Sequence, residues 1–192
     1  MLLCALASCV SDGDLGVTDS IAGNEVSASE ETSGEPEPVH VPVAHNAAWV
    51  LTTDVTDPFP LRPEGARCGS DAVAVEEIDA GIWFDILTDG CDHATVRQTT
   101  LAELKVGDTL LVWVWHYAME HEGGDFNARV SLGDPPEVVW ETTLPVPADS
   151  GLLYEEITVG SSWPTGSPIW FHLSNHGVNT WSLVELARID AP

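Results

Sequence analysis

The chain has 192 residues, of which 31 are Asp or Glu and only 6 are Lys or Arg, giving a formal net charge of -25. This charge repels nucleic acid, and no stripe of basic residues is present to replace its counterions, so nucleic-acid binding is excluded. Docking onto an anionic membrane through protein charge is disfavoured for the same reason. Hydrophobic residues make up 44% of the chain, enough for one buried core, and the length fits one domain and a tail.

The chain opens with a short apolar stretch and small residues before a cysteine, MLLCALASC. Leu6-Ala7-Ser8-Cys9 resembles the lipobox of bacterial lipoproteins, which implies cleavage before Cys9 and a lipid on its thiol. We therefore expect residues 1–8 to be a signal peptide, truncated because it lacks a basic start and is short. The resemblance implies a bacterial cell-envelope protein held in the membrane by its N-terminal lipid. Val10, in place of Asp, favours the outer membrane, with the membrane face left open.

Residues 9–46 have the composition of a tether. The stretch from Val10 to His45 contains eight acids, no Lys or Arg and no aromatic residue. Such a segment cannot bury enough apolar surface to offset its ordering entropy, and its prolines and like charges extend it. We predict a disordered acidic spacer between the membrane and a domain over residues 47–192; an interaction tail is the alternative.

The predicted domain contains all eight tryptophans and two cysteines, Cys68 and Cys91. In an exported protein this pair predicts a disulfide. Closing a loop of roughly 24 residues would stabilise the fold by about 3 kcal/mol. Two buried thiols are the alternative, and zinc is disfavoured because neither cysteine belongs to a C-x-x-C pair.

The rest of the domain alternates short β-type runs with turn signals, and helical periodicity is almost absent. Regular short strands of this kind predict an all-β fold, an antiparallel β-sandwich or jelly roll. The run Thr109–Trp115 is apolar on both faces, so we expect a central, buried strand. The predicted strands are Ala48–Thr52, Ala72–Ile78, Ile82–Leu87, Ala94–Gln98, Thr109–Tyr117, Ala128–Leu132, Glu137–Thr143, Leu152–Val159, Pro168–Ser174 and Trp181–Ile189.

Three stretches carry a family resemblance: LAELKVGDTLLVWVWH, then WPTGSPIWFHL from Trp163, then WSLVEL from Trp181. Together they resemble jelly-roll carbohydrate-binding or galactose-binding-like modules. The chain also resembles uncharacterised lipoproteins of myxobacteria. The first resemblance implies a jelly-roll fold and a ligand-binding role, but it carries no diagnostic ligand residues.

Three histidines are candidates for a metal site. His116 and His172 lie at comparable points on two apolar strands, and His176 follows in a loop. If the strands face each other, these imidazoles suit zinc or copper; otherwise they are core-edge histidines bonded to backbone. The loop Glu120–Asp125 offers oxygen ligands for calcium but lacks the usual spacing, so a solvated loop is the alternative. No cofactor is required by the sequence.

The tryptophans suggest a sugar-binding surface or a core. Trp113 and Trp115 share one strand face, and an exposed pair would stack on a sugar, but we interpret them as core. Trp163, beside Pro164, is predicted to be the most exposed tryptophan. The candidate ligand-binding residues are Trp163, Trp170, Asn175 and Asn179.

Motifs of hydrolases, zinc proteases and nucleotide-binding proteins are absent. Acidic residues are plentiful, so a pair of glycosidase carboxylates is an alternative that counting acids leaves open. We therefore expect a non-catalytic, membrane-anchored module that binds a ligand, with carbohydrate as the first candidate. One alternative is a metal-binding protein using His116, His172 and His176. Another is a structural envelope protein that acts through contacts with other proteins.

Overall fold

The computed structural model describes residues 36–53, 56–59, 65–66, 68–78, 81–120, 126–174 and 179–192. Over these residues the chain forms antiparallel strands, joined by turns and two short 3-10 segments. The strands are β1 (Val39–Pro42), β2 (Val50–Leu51), β3 (Val73–Ile78), β4 (Gly81–Leu87), β5 (His93–Thr99), β6 (Thr109–His116), β7 (Phe126–Leu132), β8 (Glu137–Leu144), β9 (Gly151–Thr158), β10 (Pro168–Ser174) and β11 (Thr180–Asp190).

The strands build two sheets in a jelly-roll arrangement. Sheet A has the order β3-β4-β11-β6-β9, with β1 also paired to β11, and sheet B has the order β2-β5-β10-β7-β8. The last eight strands pair as nested partners, β4 with β11, β5 with β10, β6 with β9, and β7 with β8. This rolled-up pairing defines the jelly roll, so the predicted fold class is confirmed.

The core lies between the sheets and follows from alternation along each strand. Side chains on β6 at Leu110, Val112 and Val114 point inward, as do those on β10 at Ile169, Phe171 and Leu173. Since successive side chains point to opposite faces, the residues between them lie on the outer faces of the two sheets.

The predicted boundary at residue 47 is wrong, because the sandwich includes earlier residues. Strand β1 (Val39–Pro42) pairs with the end of β11. The buried amide of Asn46 donates to the carbonyl oxygens of Ile82 at 2.8 Å and Leu183 at 2.9 Å. A polar side chain able to join two strands in this way cannot be recognised from composition. The predictions for residues 1–8 and for Cys9 lie outside the described residues.

The predicted disulfide is confirmed. Cys68 and Cys91 are joined, at a sequence separation of 23. The link connects the segment that precedes β3 to the turn that precedes β5 and therefore closes the loop containing the β3–β4 hairpin. Over the part of the chain that the structure describes, no helix has the length and apolar character needed to cross a membrane.

Candidate functional site

The structure does not bring the predicted metal-binding histidines together. His116 lies on the inward face of β6 and stacks on the core residue Trp181 at 5.2 Å between ring centroids. Its Nδ1 donates to the backbone carbonyl of Tyr117 at 3.0 Å. His172, by contrast, alternates with the inward residues of β10 and faces outward. The expectation that His116 and His172 meet is therefore wrong, because His116 points into the core from sheet A and His172 points to the outer face of sheet B.

His176 and Asn175 lie outside the described residues, as do positions 121–125 of the proposed calcium loop. Among the residues that are described, no group of three or more His, Cys, Asp or Glu side chains is arranged to hold a metal ion.

His172 instead belongs to a buried polar chain on the outer side of sheet B. Its Nδ1 lies 2.8 Å from the hydroxyl of Thr95, and that hydroxyl donates to Asp57 at 2.9 Å. A hydroxyl has one proton, so the His172 Nδ1 carries its own hydrogen and donates to Thr95. The ring of Phe59 covers His172 at 4.9 Å, and His93 meets it edge-on at 4.6 Å. The segment that carries Asp57 and Phe59 therefore seals the imidazole from water.

This environment keeps His172 neutral. The side chain is 3% exposed, and burial lowers its pKa from 6.5 to about 3, with the charges of His93 and Arg129 adding to the effect. A neutral, covered imidazole that is already hydrogen-bonded acts as a structural element of sheet B.

The predicted ligand-binding residues are mostly covered. Trp163 is only 7% exposed and forms a bridge with Leu104, so the prediction that it is the most exposed tryptophan is wrong. Its position beside a proline signals a loop, but this loop packs onto the core. Asn179 is also buried, and its Oδ1 accepts the amide of Thr180.

Trp170 lines a groove of about 790 Å³ on the outer face of sheet B, with Arg97, Val50 and Asp134 among its neighbours. The indole Nε1 donates to the carbonyl of Gly133 at 3.2 Å. Because the side chain is only 6% exposed, it offers little ring surface to a ligand.

Exposed aromatic rings lie on the opposite side of the sandwich, on the outer face of sheet A. We call Trp113, Trp115, Tyr117 and Tyr154 the aromatic platform. Trp113 meets Tyr154 edge-to-face at 5.7 Å, and Trp115 meets Tyr117 at 6.3 Å with perpendicular rings. Tyr117 is 56% exposed and Tyr154 is 47% exposed, while the two tryptophans are half-buried. The interpretation of Trp113 and Trp115 as core is therefore wrong, because they point away from the inward residues of β6.

A groove of about 600 Å³ lies on the same face, and we call it the acidic groove. Three acidic residues line it, Glu76, Glu77 and Asp85, together with Ser182 and Tyr117. Asp85 is only 7% exposed, and its Oδ1 has no hydrogen-bond partner among the described residues. Burial raises the pKa of Asp85, the Ser182 hydroxyl opposes the rise, and Glu76 adds to it.

Strand register makes the platform and the groove parts of one surface. Asp85 on β4 pairs with Ser182 on β11, and Ser182 pairs with Trp115 on β6. Residues directly opposite in neighbouring strands are close neighbours on one face. Since strands lie about 4.8 Å apart, Asp85 and Trp115 are about 10 Å apart across the sheet.

Asp85, Glu76 and Tyr117 were not predicted from the sequence to belong to a site. The alternation of Asp85 with the apolar residues Phe84 and Ile86 signals an outward carboxylate on a half-buried strand. Its closeness to Trp115 depends on the pairing of three strands distant in sequence, which no local pattern reports.

No protein-family model matches the chain, and no curated protein matches it. Among solved structures, it is similar to the enzymatically active domain of a tailspike protein of bacteriophage CBA120, with 14% identity and a TM-score of 0.44. The match covers 76% of this chain, and the chain spans only 20% of the tailspike structure.

Two smaller structures match over most of their length. One is a carbohydrate-binding module of family 27 described for specific mannan recognition, with 9% identity, a TM-score of 0.46, and coverage of 80% of this chain and 98% of the module. The other is the K3 adhesin domain of Lys-gingipain from Porphyromonas gingivalis, with 13% identity, a TM-score of 0.43, and coverage of 79% and 94%. Likenesses this distant carry no inference about what the present chain binds.

Proposed function

We propose that the domain is a non-catalytic module that binds carbohydrate on the outer face of sheet A. The observation that carries the proposal is the aromatic platform, two edge-to-face ring pairs with exposed tyrosines beside a groove of hydrogen-bonding groups. Aromatic rings offer an apolar surface to the CH face of a sugar. Carboxylates and hydroxyls at the rim accept hydrogen bonds from sugar hydroxyls.

The platform also fits the general form of a ligand site. Small-molecule sites combine apolar and aromatic walls with a few polar groups that fix orientation, in clefts of roughly 300–1,000 Å³. The acidic groove, at about 600 Å³, lies within that range. The groove over sheet B is larger, but Trp170, its tryptophan, is covered. These features favour sheet A over sheet B.

The test is calorimetric titration of the full chain with neutral oligosaccharides, namely β-1,4-linked mannan, galactan, glucan and chitin fragments. We expect at least one of these oligosaccharides to bind. Tyr154→Ala and Tyr117→Ala should each weaken that binding about two- to tenfold, since an aromatic contact contributes roughly 0.5–1.5 kcal/mol. Leu101→Ala is the control, because Leu101 is similarly exposed but lines the groove over sheet B.

Two results would contradict the proposal. Binding that Leu101→Ala weakens as much as Tyr154→Ala does would move the site to sheet B. Binding of no carbohydrate at all would favour the alternative, a structural envelope protein whose aromatic face meets another protein.

We further propose that the chain is an exported lipoprotein of the bacterial cell envelope, anchored in the outer membrane by lipid on Cys9. The motif Leu6-Ala7-Ser8-Cys9 supports this, and so does the Cys68–Cys91 disulfide, since disulfides persist in oxidising compartments outside the cytosol. Expressed behind a complete leader that ends at Ser8, the chain should incorporate labelled palmitate and fractionate with membranes. Cys9→Ser should abolish both, and a labelled Cys9→Ser chain would contradict the proposal.

A further inference from the structure

We infer that the carbohydrate bound on sheet A carries primary amines, as a polymer of amino sugars does, and that Asp85 and Glu76 hold one of its ammonium groups. This inference rests on the proposed function and specifies its ligand. The acidic groove carries more negative charge than a neutral sugar requires.

Among the described residues, the groove is lined by acidic residues and by no basic ones. Its charged lining residues there are Glu76, Glu77 and Asp85, with no Lys, Arg or His beside them. Among the described residues, none of these three carboxylates forms an ion pair. An ammonium group has three donors and no acceptor, so its hydrogen bonding complements that of such a groove.

The environment of Asp85 favours a cationic group over a neutral one. Its side chain is more than nine-tenths buried, it lines the groove, and its Oδ1 is left without a hydrogen-bond partner by the described residues. A buried carboxylate oxygen without a donor is unfavourable, and an incoming cation supplies both a donor for Oδ1 and an opposite charge. A neutral hydroxyl would supply only the donor. Burial raises the pKa of Asp85 and Glu76 adds to the rise, so a cation beside this carboxylate would stabilise its ionised form.

The aromatic platform indicates that the amine belongs to a molecule that also carries a second sugar ring. Tyr117 lines the groove and also meets Trp115 at 6.3 Å, so one ring borders both regions. A cation beside the tyrosine ring gains a further attraction. Strand spacing places Trp115 about 10 Å from Asp85, a distance that two linked sugar rings can span. A chain of amino sugars can therefore place one ring on the platform and the amine of another in the groove.

The experiment compares two oligosaccharides of equal length, the hexamer of glucosamine and the hexamer of N-acetylglucosamine, which differ only in their amines. The full chain is titrated with each at about pH 6, where an alkyl amine is protonated, with a chelator present to remove divalent cations. The variants are Asp85→Asn and Glu76→Gln. The control is Glu137→Gln, which removes the same charge from an exposed position on sheet B. Glu76 is exposed, so Glu76→Gln keeps the test valid even if Asp85→Asn disturbs folding.

We expect the glucosamine hexamer to bind at least tenfold more tightly, and Asp85→Asn and Glu76→Gln to remove most of that preference while Glu137→Gln keeps it. Equal affinity for the two hexamers would overturn the inference and leave the proposed function intact. A preference that Glu137→Gln reduces as much as the groove variants do would also overturn it, since general attraction to an acidic protein would then be the cause. Failure of both hexamers and all neutral fragments to bind would reject the inference together with the proposed function.

Discussion

Acidification from about pH 7 to about pH 4 should destabilise the wild-type chain more steeply than a His172→Phe variant. The reason is the burial of a neutral imidazole. His172 has a folded-state pKa of about 3 against an ordinary value of 6.5, so between these values the unfolded chain binds a proton that the folded chain does not. Proton uptake on unfolding means that stability falls as the pH falls, and the contribution is fully present only above about pH 6.5.

The effect is bounded by the difference between the two pKa values. A difference of one pKa unit corresponds to about 1.4 kcal/mol. His172 therefore accounts for at most about 5 kcal/mol of unfolding free energy between pH 6.5 and pH 3. Phenylalanine fills a similar volume against Phe59 and His93 and leaves the Thr95 hydroxyl bonded to Asp57. The variant should therefore fold and lose this part of the pH dependence.

Urea unfolding at several pH values measures the prediction, with His40→Gln as the control because it removes a histidine at the rim of sheet A and leaves the cluster around His172 unchanged. The unfolding free energy should fall with falling pH in the wild type and in His40→Gln, and His172→Phe should give a flatter curve. A His172→Phe curve as steep as the other two would contradict the lowered pKa of His172 and the burial that causes it.

The jelly roll could be predicted because its signals are local. Alternation along runs such as Pro168–Ser174 identifies each strand, and turn residues separate them. The disulfide was likewise predictable, because the lipobox-like motif predicts export and two cysteines in an exported domain usually pair. Each of these predictions needs only the residues of one segment, or a count.

The site could not be predicted in the same way. Trp113 and Trp115 follow the pattern of a fully buried strand, and only the structure shows that both are half-buried on the outer face of β6. The grouping of Asp85, Ser182 and Trp115 depends on three strands that are adjacent in space and separated by many residues in sequence. His116 and His172 illustrate the same limit: each was placed correctly on a strand, but a shift of one residue decides which face a side chain occupies.

A second large loss of stability is expected from a substitution in the strand pair β6–β9. Replacing Gly151 with alanine should lower the free energy of unfolding by about 1–3 kcal/mol, the usual cost of overpacking a core. Gly151 lies directly opposite His116, and an added Cβ would come within 2.7 Å of the imidazole Nε2. The ring cannot easily move away, because it stacks on Trp181 and its Nδ1 donates to the carbonyl of Tyr117.

Gly160→Ala is the matched control, since an added Cβ there has no atom within 4 Å. Both substitutions reduce the freedom of the unfolded chain equally, so the difference between them isolates the clash with His116. Thermal and urea unfolding should show a clear loss for Gly151→Ala and a change within about 0.5 kcal/mol for Gly160→Ala. In a His116→Ser background the cost of Gly151→Ala should largely disappear, because the two residues are in contact and their effects are not additive. An unchanged cost in that background would mean that the imidazole is not what requires glycine at this position.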